Sequence, residues 1–278
     1  MNGTTTTQTA AHEPALAVLM YHAVQPDAGP CPGGAEPNYT VTRGGFAQQL
    51  QMLEAAGRRA GSVARHLAGL GSAGPQTLLT FDDGHASNAF AAELLAGQGG
   101  SADFFVNPST VGQPDFLSWP ALREMAAMGM SIQSHGMHHH YLDQLSPQEV
   151  ERELVDSKAE IEARIGSPVT LFAPPGGRQS QGLAEVARRA GYQRICSSRA
   201  AYWQPGQPGP DGIEIPRLAV LSATADAQFG RWIALDPDEL AWQQRRYRAL
   251  RLAKGLLGNR SYDAVRGVLL RLAARRGA

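Results

Sequence analysis

Short apolar runs alternate with amphipathic patterns of helical period over most of this chain. Leu16 to Tyr21, Thr77 to Phe81, Ala102 to Val106, Met130 to Gln133, Val169 to Phe172, Arg194 to Ser197 and Ile213 to Val220 read as buried strands. The helices between them carry recognisable ends. Thr42 precedes a stretch whose Phe46, Leu50 and Leu53 share one face and which Gly57 stops, and Ser118-Trp119-Pro120 opens another that Gly129 closes. Ser146-Pro147-Gln148-Glu149 is a capping-box start, with Val150, Leu154, Ile161 and Ile165 on the following core-facing stripe. Strands alternating with helices predict a parallel α/β sheet covered by helices, and seven such units fit an incomplete barrel better than a small doubly wound sheet. Function in such barrels gathers at the carboxyl ends of the strands, where Asp82, Asp83 and His135 fall.

The pattern changes in two places. Ala200 to Gly212 holds Pro205, Gly206, Pro208, Gly209 and Pro210 and predicts an irregular excursion at the rim of the site. From Asp236 onward two basic helices are expected, the first with Leu240, Tyr247, Leu250 and Leu257 on one face, the second with Tyr262, Val265, Leu269 and Leu272. This predicts three parts: a disordered or extended N-terminus over 1–14, a barrel domain over 15–235 and a basic amphipathic helical extension over 236–278. The formal net charge of zero hides an asymmetry, because Leu240 to Ala278 carries ten Lys/Arg against the single acid Asp263. The simplest role for that extension is packing on the barrel with a solvated basic face. Its arginine-rich face also suits docking at the inner surface of an anionic membrane, whereas nucleic acid ranks last because no binding module is recognisable. Cys31 and Cys196 are too few for a disulfide framework, and no basic segment followed by a long apolar run opens the chain, so a cytoplasmic location is expected.

Two constellations carry candidate chemistry. Leu78-Leu79-Thr80-Phe81-Asp82-Asp83-Gly84 is an apolar run ending in two carboxylates and a glycine that permits a tight turn. In isolation Asp-Gly is also a common turn former. His135 and His139, in Ser134-His135-Gly136-Met137-His138-His139-His140, are four apart; on one face of a helical turn both imidazoles would reach one ion while His138 and His140 pointed elsewhere. The competing reading is a solvated histidine-rich turn. Together with Asp83 the pair makes three protein ligands with open positions, a catalytic arrangement for zinc or a similar divalent ion. Such an ion lowers the pKa of water from about 15.7 to about 7, and a neighbouring carboxylate can take the proton.

Thr80-Phe81-Asp82-Asp83-Gly84 and the His135/His139 pair resemble the first two motifs of the polysaccharide deacetylases, carbohydrate esterase family 4. Leu19-Met20-Tyr21-His22, Ala102-Asp103-Phe104-Phe105-Val106 and Leu117-Ser118-Trp119 extend the likeness over Ala15 to Val220. The resemblance implies a distorted seven-stranded (β/α) barrel, here with a C-terminal helical extension. It further implies Asp82 as general base and Asp83, His135 and His139 as ligands of a divalent metal, most simply Zn2+, with Co2+, Ni2+ or Mn2+ as alternatives. Phe172-Ala173-Pro174-Pro175-Gly176-Gly177 resembles the third motif, normally Arg-x-Pro-Tyr-Gly, which supplies a backbone N–H to the oxyanion. Proline has no N–H, so the donor falls on Gly176. That register puts Ala173 where the family has a base-orienting arginine. Arg178 or Arg217 could replace it, or both could be ordinary surface arginines.

No histidine follows His140, so the family's late general acid is missing, and no fourth motif is recognisable. Asp82, a metal-bound water, His22 or His85 is left to handle the leaving-group proton, with His22 otherwise a packed residue. Trp203 and Tyr202 could stack on a sugar, Trp203 joining His22 and Arg178 as candidate substrate contacts. The function expected is metal-dependent removal of an N-acetyl group from an amino sugar in an oligosaccharide, polysaccharide or glycoconjugate precursor. The alternatives are an amidase or imidase acting on a non-sugar amide, and a catalytically silent carbohydrate-binding relative.

Overall fold

The computed structural model describes residues 13–29, 31, 33–71, 73–207 and 211–245. β1 (Val18–Tyr21) is followed by a short parallel pair, β2 (Ala23–Gln25) and β3 (Thr40–Thr42), and then by α1 (Arg43–Ala55). β4 (Arg59–Gly61) leads into α2 (Val63–Leu67), after which β5 (Gln76–Phe81), α3 (Asn88–Gly97), β6 (Asp103–Val106), α4 (Trp119–Ala127) and β7 (Ser131–Ser134) alternate. α5 (Pro147–Ile165), β8 (Leu171–Phe172), α6 (Leu183–Arg189), β9 (Arg194–Cys196), β10 (Glu214–Ile215), β11 (Leu218–Ala219) and α7 (Asp226–Ile233) follow.

The main sheet runs β10-β9-β8-β7-β6-β5-β1-β11, every neighbour parallel. Its first and last members are separated in the chain only by Pro216 and Arg217. The sheet therefore curls until both edges meet on one bent segment, the seventh strand of the sequence pattern, broken where proline removes a ladder donor. The other six expected strands are present. β4 and the β2–β3 pair were not expected from the pattern; at three residues each they are too short to show a period.

Alternation along the strands divides the core in two. Val18 and Leu78 point into the barrel, where Phe105, Leu171, Cys196 and Ile215 fill it. Leu19, Tyr21, Leu79 and Phe81 point out beneath the helices. Phe81 is stacked between Tyr21 (5.2 Å between ring centroids) and Phe104 (4.7 Å), directly before Asp82. The helix starts read from the sequence are built as capped ends: Thr42, Ser118 and Ser146 accept from the backbone N–H three residues on, and Glu149 returns the bond at Ser146.

The far end of the barrel is closed by Trp203. Its backbone exchanges two 2.8 Å hydrogen bonds with Leu16, ahead of β1, and its ring packs edge-on against His66. Trp203 is only 5% exposed, and it lies at the amino ends of the strands. This corrects the expectation that it touches substrate: the large apolar ring of Trp203 is folded inward as a plug instead of standing at the rim. Tyr202 is likewise occupied, its hydroxyl donating to the Asp236 carbonyl at 2.9 Å. A helix begins at 237 and is described as far as 245; the rest of the expected basic extension, with its membrane reading, lies outside the described residues. Among those residues no helix is long and apolar enough to cross a membrane.

Candidate active site

Continuing the alternation of β5, Leu78 and Thr80 face the barrel interior and so does Asp82, just past the strand end. It is buried, and the guanidinium of Arg217 meets it with two donors: Nη1 to Oδ1 at 2.7 Å and Nη2 to Oδ2 at 2.9 Å. Arg217 comes from the bend between β10 and β11. It is itself fully buried, donates further to the Ser197 carbonyl (3.2 Å) and Thr80 Oγ1 (3.1 Å), and lies over the Phe105 ring. Burial alone would raise the Asp82 carboxyl, but the Arg217 charge, with His135 and the paired hydrogen bonds, overrides it and holds Asp82 below the ordinary carboxylate range. Of the two arginines that could stand in for the one absent at Ala173, Arg217 contacts Asp82. Arg178 does not; it stacks on Tyr141 with its guanidinium 4.2 Å from the ring centre and lies 3.8 Å from Asp143.

Asp83 turns the other way. It takes the left-handed backbone (φ 73°), which brings Oδ1 to 3.3 Å from His135 Nε2 and 3.1 Å from His139 Nε2. His135 follows β7 and is fixed from behind, because its Nδ1 meets the Ala173 carbonyl at 2.8 Å and Asn107 holds its own carbonyl at 2.6 Å. A hydrogen bond at Nδ1 leaves Nε2 free as a ligand, the usual support of a metal-binding histidine. The four-residue spacing suggested a helical turn, but 135–140 is irregular, and His139 reaches Asp83 through a left-handed backbone (φ 60°). Two strained non-glycine residues converging on one point mark a place where geometry is held against local preference. Three ligand atoms, one carboxylate oxygen and two imidazole nitrogens, lie within 4.8 Å of one another and fit a zinc-like ion. Burial would raise the Asp83 carboxyl, yet the hydrogen bonds from His135 and His139 carry it well below its ordinary range.

Gly176 sits at the rim in a tight turn closed by bonds from the Gly177 and Arg178 N–H groups to the Pro174 and Pro175 carbonyls, in which its own N–H takes no part. Its φ of 61° and the Tyr141 ring, 2.7 Å from where a Cβ would stand, both require glycine. His22 follows β1 at the same end, its ring 4.5 Å from that of Tyr39 and its Nδ1 buried without a protein partner. Burial holds its imidazole below the usual range, opposed by Asp83 and Asp82. His85 is occupied elsewhere, bonded to Ser87 Oγ (2.8 Å) and the Gly33 carbonyl (2.9 Å), and does not reach the site. Sequence reasoning missed Tyr141 and also Glu153. The latter stands on the buried stripe of α5 between Val150 and Ser157, and a charged residue on a core-facing stripe was the signal available.

Residues 72–195 match the polysaccharide deacetylase family model. This part of the chain is similar to that family. A Bacillus subtilis relative named as a polysaccharide deacetylase, YxkH, is 30% identical over 56% of this chain and 55% of its own length. A peptidoglycan-N-acetylglucosamine deacetylase of Bacillus cereus is 31% identical over 43% of this chain and again 55% of its own. The chain thus spans about half the length of the curated relatives it matches. The solved structure of IcaB from Ammonifex degensii superposes with a TM-score of 0.64 at 27% identity, over 84% of this chain and 98% of that one. The fold is that of the polysaccharide deacetylases, and the helix-covered parallel barrel is shared.

Proposed function

We propose that this protein is a polysaccharide deacetylase, a metal-dependent hydrolase that removes an N-acetyl group from an amino sugar within an oligosaccharide, polysaccharide or glycoconjugate precursor. The observation that carries the reading is the divided pair of aspartates: Asp83 faces two imidazole nitrogens while Asp82, its neighbour, is locked to Arg217. Asp83, His135 and His139 would hold a divalent ion, most simply Zn2+. When bound, that ion supplies Lewis acidity, polarising the acyl carbonyl and acidifying water.

The chain's own residues supply the rest. Asp82, ionised and oriented by Arg217, takes the proton of the attacking water, a step worth roughly 10² to 10⁴ in rate. The Gly176 N–H, unused in its turn, donates to the developing oxyanion. Protonated Asp82 then returns the proton to the leaving amine, since burial keeps His22 neutral and His85 faces elsewhere. His22 Nδ1 offers a polar contact to substrate, and the Tyr141–Arg178 stack forms a rim on which a sugar can lie. Arg217 supplies one of the two features, an oriented base and a late histidine, whose absence from the motifs suggested a silent carbohydrate binder.

Release of acetate from N-acetylglucosamine oligomers by the zinc-loaded protein tests this. Turnover is expected, with Asp82→Asn losing at least about 10²-fold. A metal-loaded protein indifferent to Asp82→Asn, or one that opens cyclic imides and leaves acetylated sugars untouched, overturns it.

A further inference from the structure

The turn that delivers His139 also delivers its two neighbours, and they converge on a different carboxylate. His138 Nδ1 lies 2.7 Å and His140 Nδ1 3.3 Å from the same oxygen, Oε1 of Glu153 on α5. The two rings are near-parallel, 22° apart with centroids at 5.4 Å. Glu153 is 6% exposed in its side chain, whereas the imidazoles are 52% and 57% exposed. Its other oxygen, Oε2, accepts the backbone N–H groups of Met137 (2.8 Å) and His138 (2.9 Å). Glu153 is thereby fixed by the backbone through one oxygen and presents the second to two imidazole nitrogens, with all three ligand atoms within 4.8 Å of one another.

We infer that His138, His140 and Glu153 form a second site for a divalent transition-metal ion, separate from the Asp83 site and weaker than it. Bonds of about 2.0 to 2.2 Å in a tetrahedron place ligand atoms roughly 3.3 to 3.6 Å apart. The Asp83 triad already shows 3.1 and 3.3 Å. The Glu153 triad shows 3.3 Å on one side, and the exposed His138 ring need only swing outward to open the 2.7 Å side. Two neutral imidazoles and a carboxylate select zinc, nickel or copper over magnesium or calcium. Half-exposed ligands lose more freedom on binding than the buried His135, which makes this the weaker site. The sites alternate along three consecutive residues, so an ion on His138 and His140 clamps the turn that carries His139. By linkage, occupancy of each site must change affinity for the other by the same factor.

The inference rests on the metal-binding part of the proposed function but is tested separately from it. Zinc binding to untagged full-length protein, followed by titration calorimetry and by metal analysis after dialysis, is expected to show two classes of ion. His138→Ala/His140→Ala should lose the weaker class and keep the stronger; Asp83→Asn should lose the stronger and keep the weaker. Both imidazoles are exposed, and thermal melting of the double variant checks that it folds. One ion in the wild type, or a second ion that the double variant still holds, overturns the inference and leaves the Asp83 site untouched. A wild type whose bound zinc depends wholly on His138 and His140 and not on Asp83 would instead count against the proposed function.

Discussion

At the scale of single residues, the proposed chemistry turns on the pair of Asp82 and Arg217. Arg217→Gln leaves a buried carboxyl without its two donors, so the dominant remaining influence is burial, which raises its pKa. The acid limb of the pH–rate profile for acetate release should therefore move to higher pH in Arg217→Gln, while Arg178→Gln leaves it in place. Arg217→Lys keeps the charge and loses the two-point fork, and should fall between them. Stability follows the same sign. Because the folded-state pKa of Asp82 lies below its unfolded value, the pairing contributes stability above about pH 4, lost as pH falls through the still lower folded value. Breaking the pair at neutral pH should cost about 3–5 kcal/mol in urea melts. An acid limb that stays put in Arg217→Gln would remove Asp82 as the base. The sequence displayed both aspartates and both histidines, since they sit in short local motifs. It could not choose between Arg178 and Arg217, because Arg217 lies 135 positions from Asp82 and only closure of the sheet brings them together.

At the scale of elements, the site is assembled from turns whose backbone the sequence pattern does not encode. The alternation of β5 accounts for Asp82 pointing inward, but the left-handed backbone at Asp83 and His139 has no glycine to announce it. The four-residue histidine spacing accordingly suggested a helical turn where an irregular one stands. Gly176 is the opposite case, a glycine whose need is explicit. Gly176→Ala combines a positive φ with a clash of Cβ against the Tyr141 ring at 2.7 Å. The turn must move, and its N–H with it, so kcat should fall by about 10²–10³, the cost of one oxyanion donor, with little change in KM. Adding Tyr141→Ala relieves the clash but not the backbone strain and should restore activity only in part. Full activity in Gly176→Ala would show that the oxyanion donor lies elsewhere.

For the whole molecule, the proposed function is confined to one end of the barrel. Trp203 plugs the amino end, so Trp203→Ala should destabilise the protein by about 3–5 kcal/mol while leaving kcat and KM for acetylated oligomers unchanged. A raised KM would return it to the substrate site. At the carboxyl end the proposed ligand set of Asp83, His135 and His139 would couple chemistry to stability. Asp83 belongs to the turn after β5, and His135 and His139 to the turn after β7, with β6 between them in the sheet. An ion there would tie the turn after β5 to the turn after β7, in a state the unfolded chain cannot reproduce. Free zinc at about a thousand times its dissociation constant then stabilises the fold by about 4 kcal/mol. At roughly 2–4 °C per kcal/mol for a domain of this size, chelation should lower Tm by roughly 8–16 °C. Asp83→Asn should melt near the chelated wild type and respond little to zinc at these concentrations. A wild-type Tm indifferent to zinc and chelator would mean that the three ligand atoms hold their positions through the hydrogen bonds to Asp83 alone.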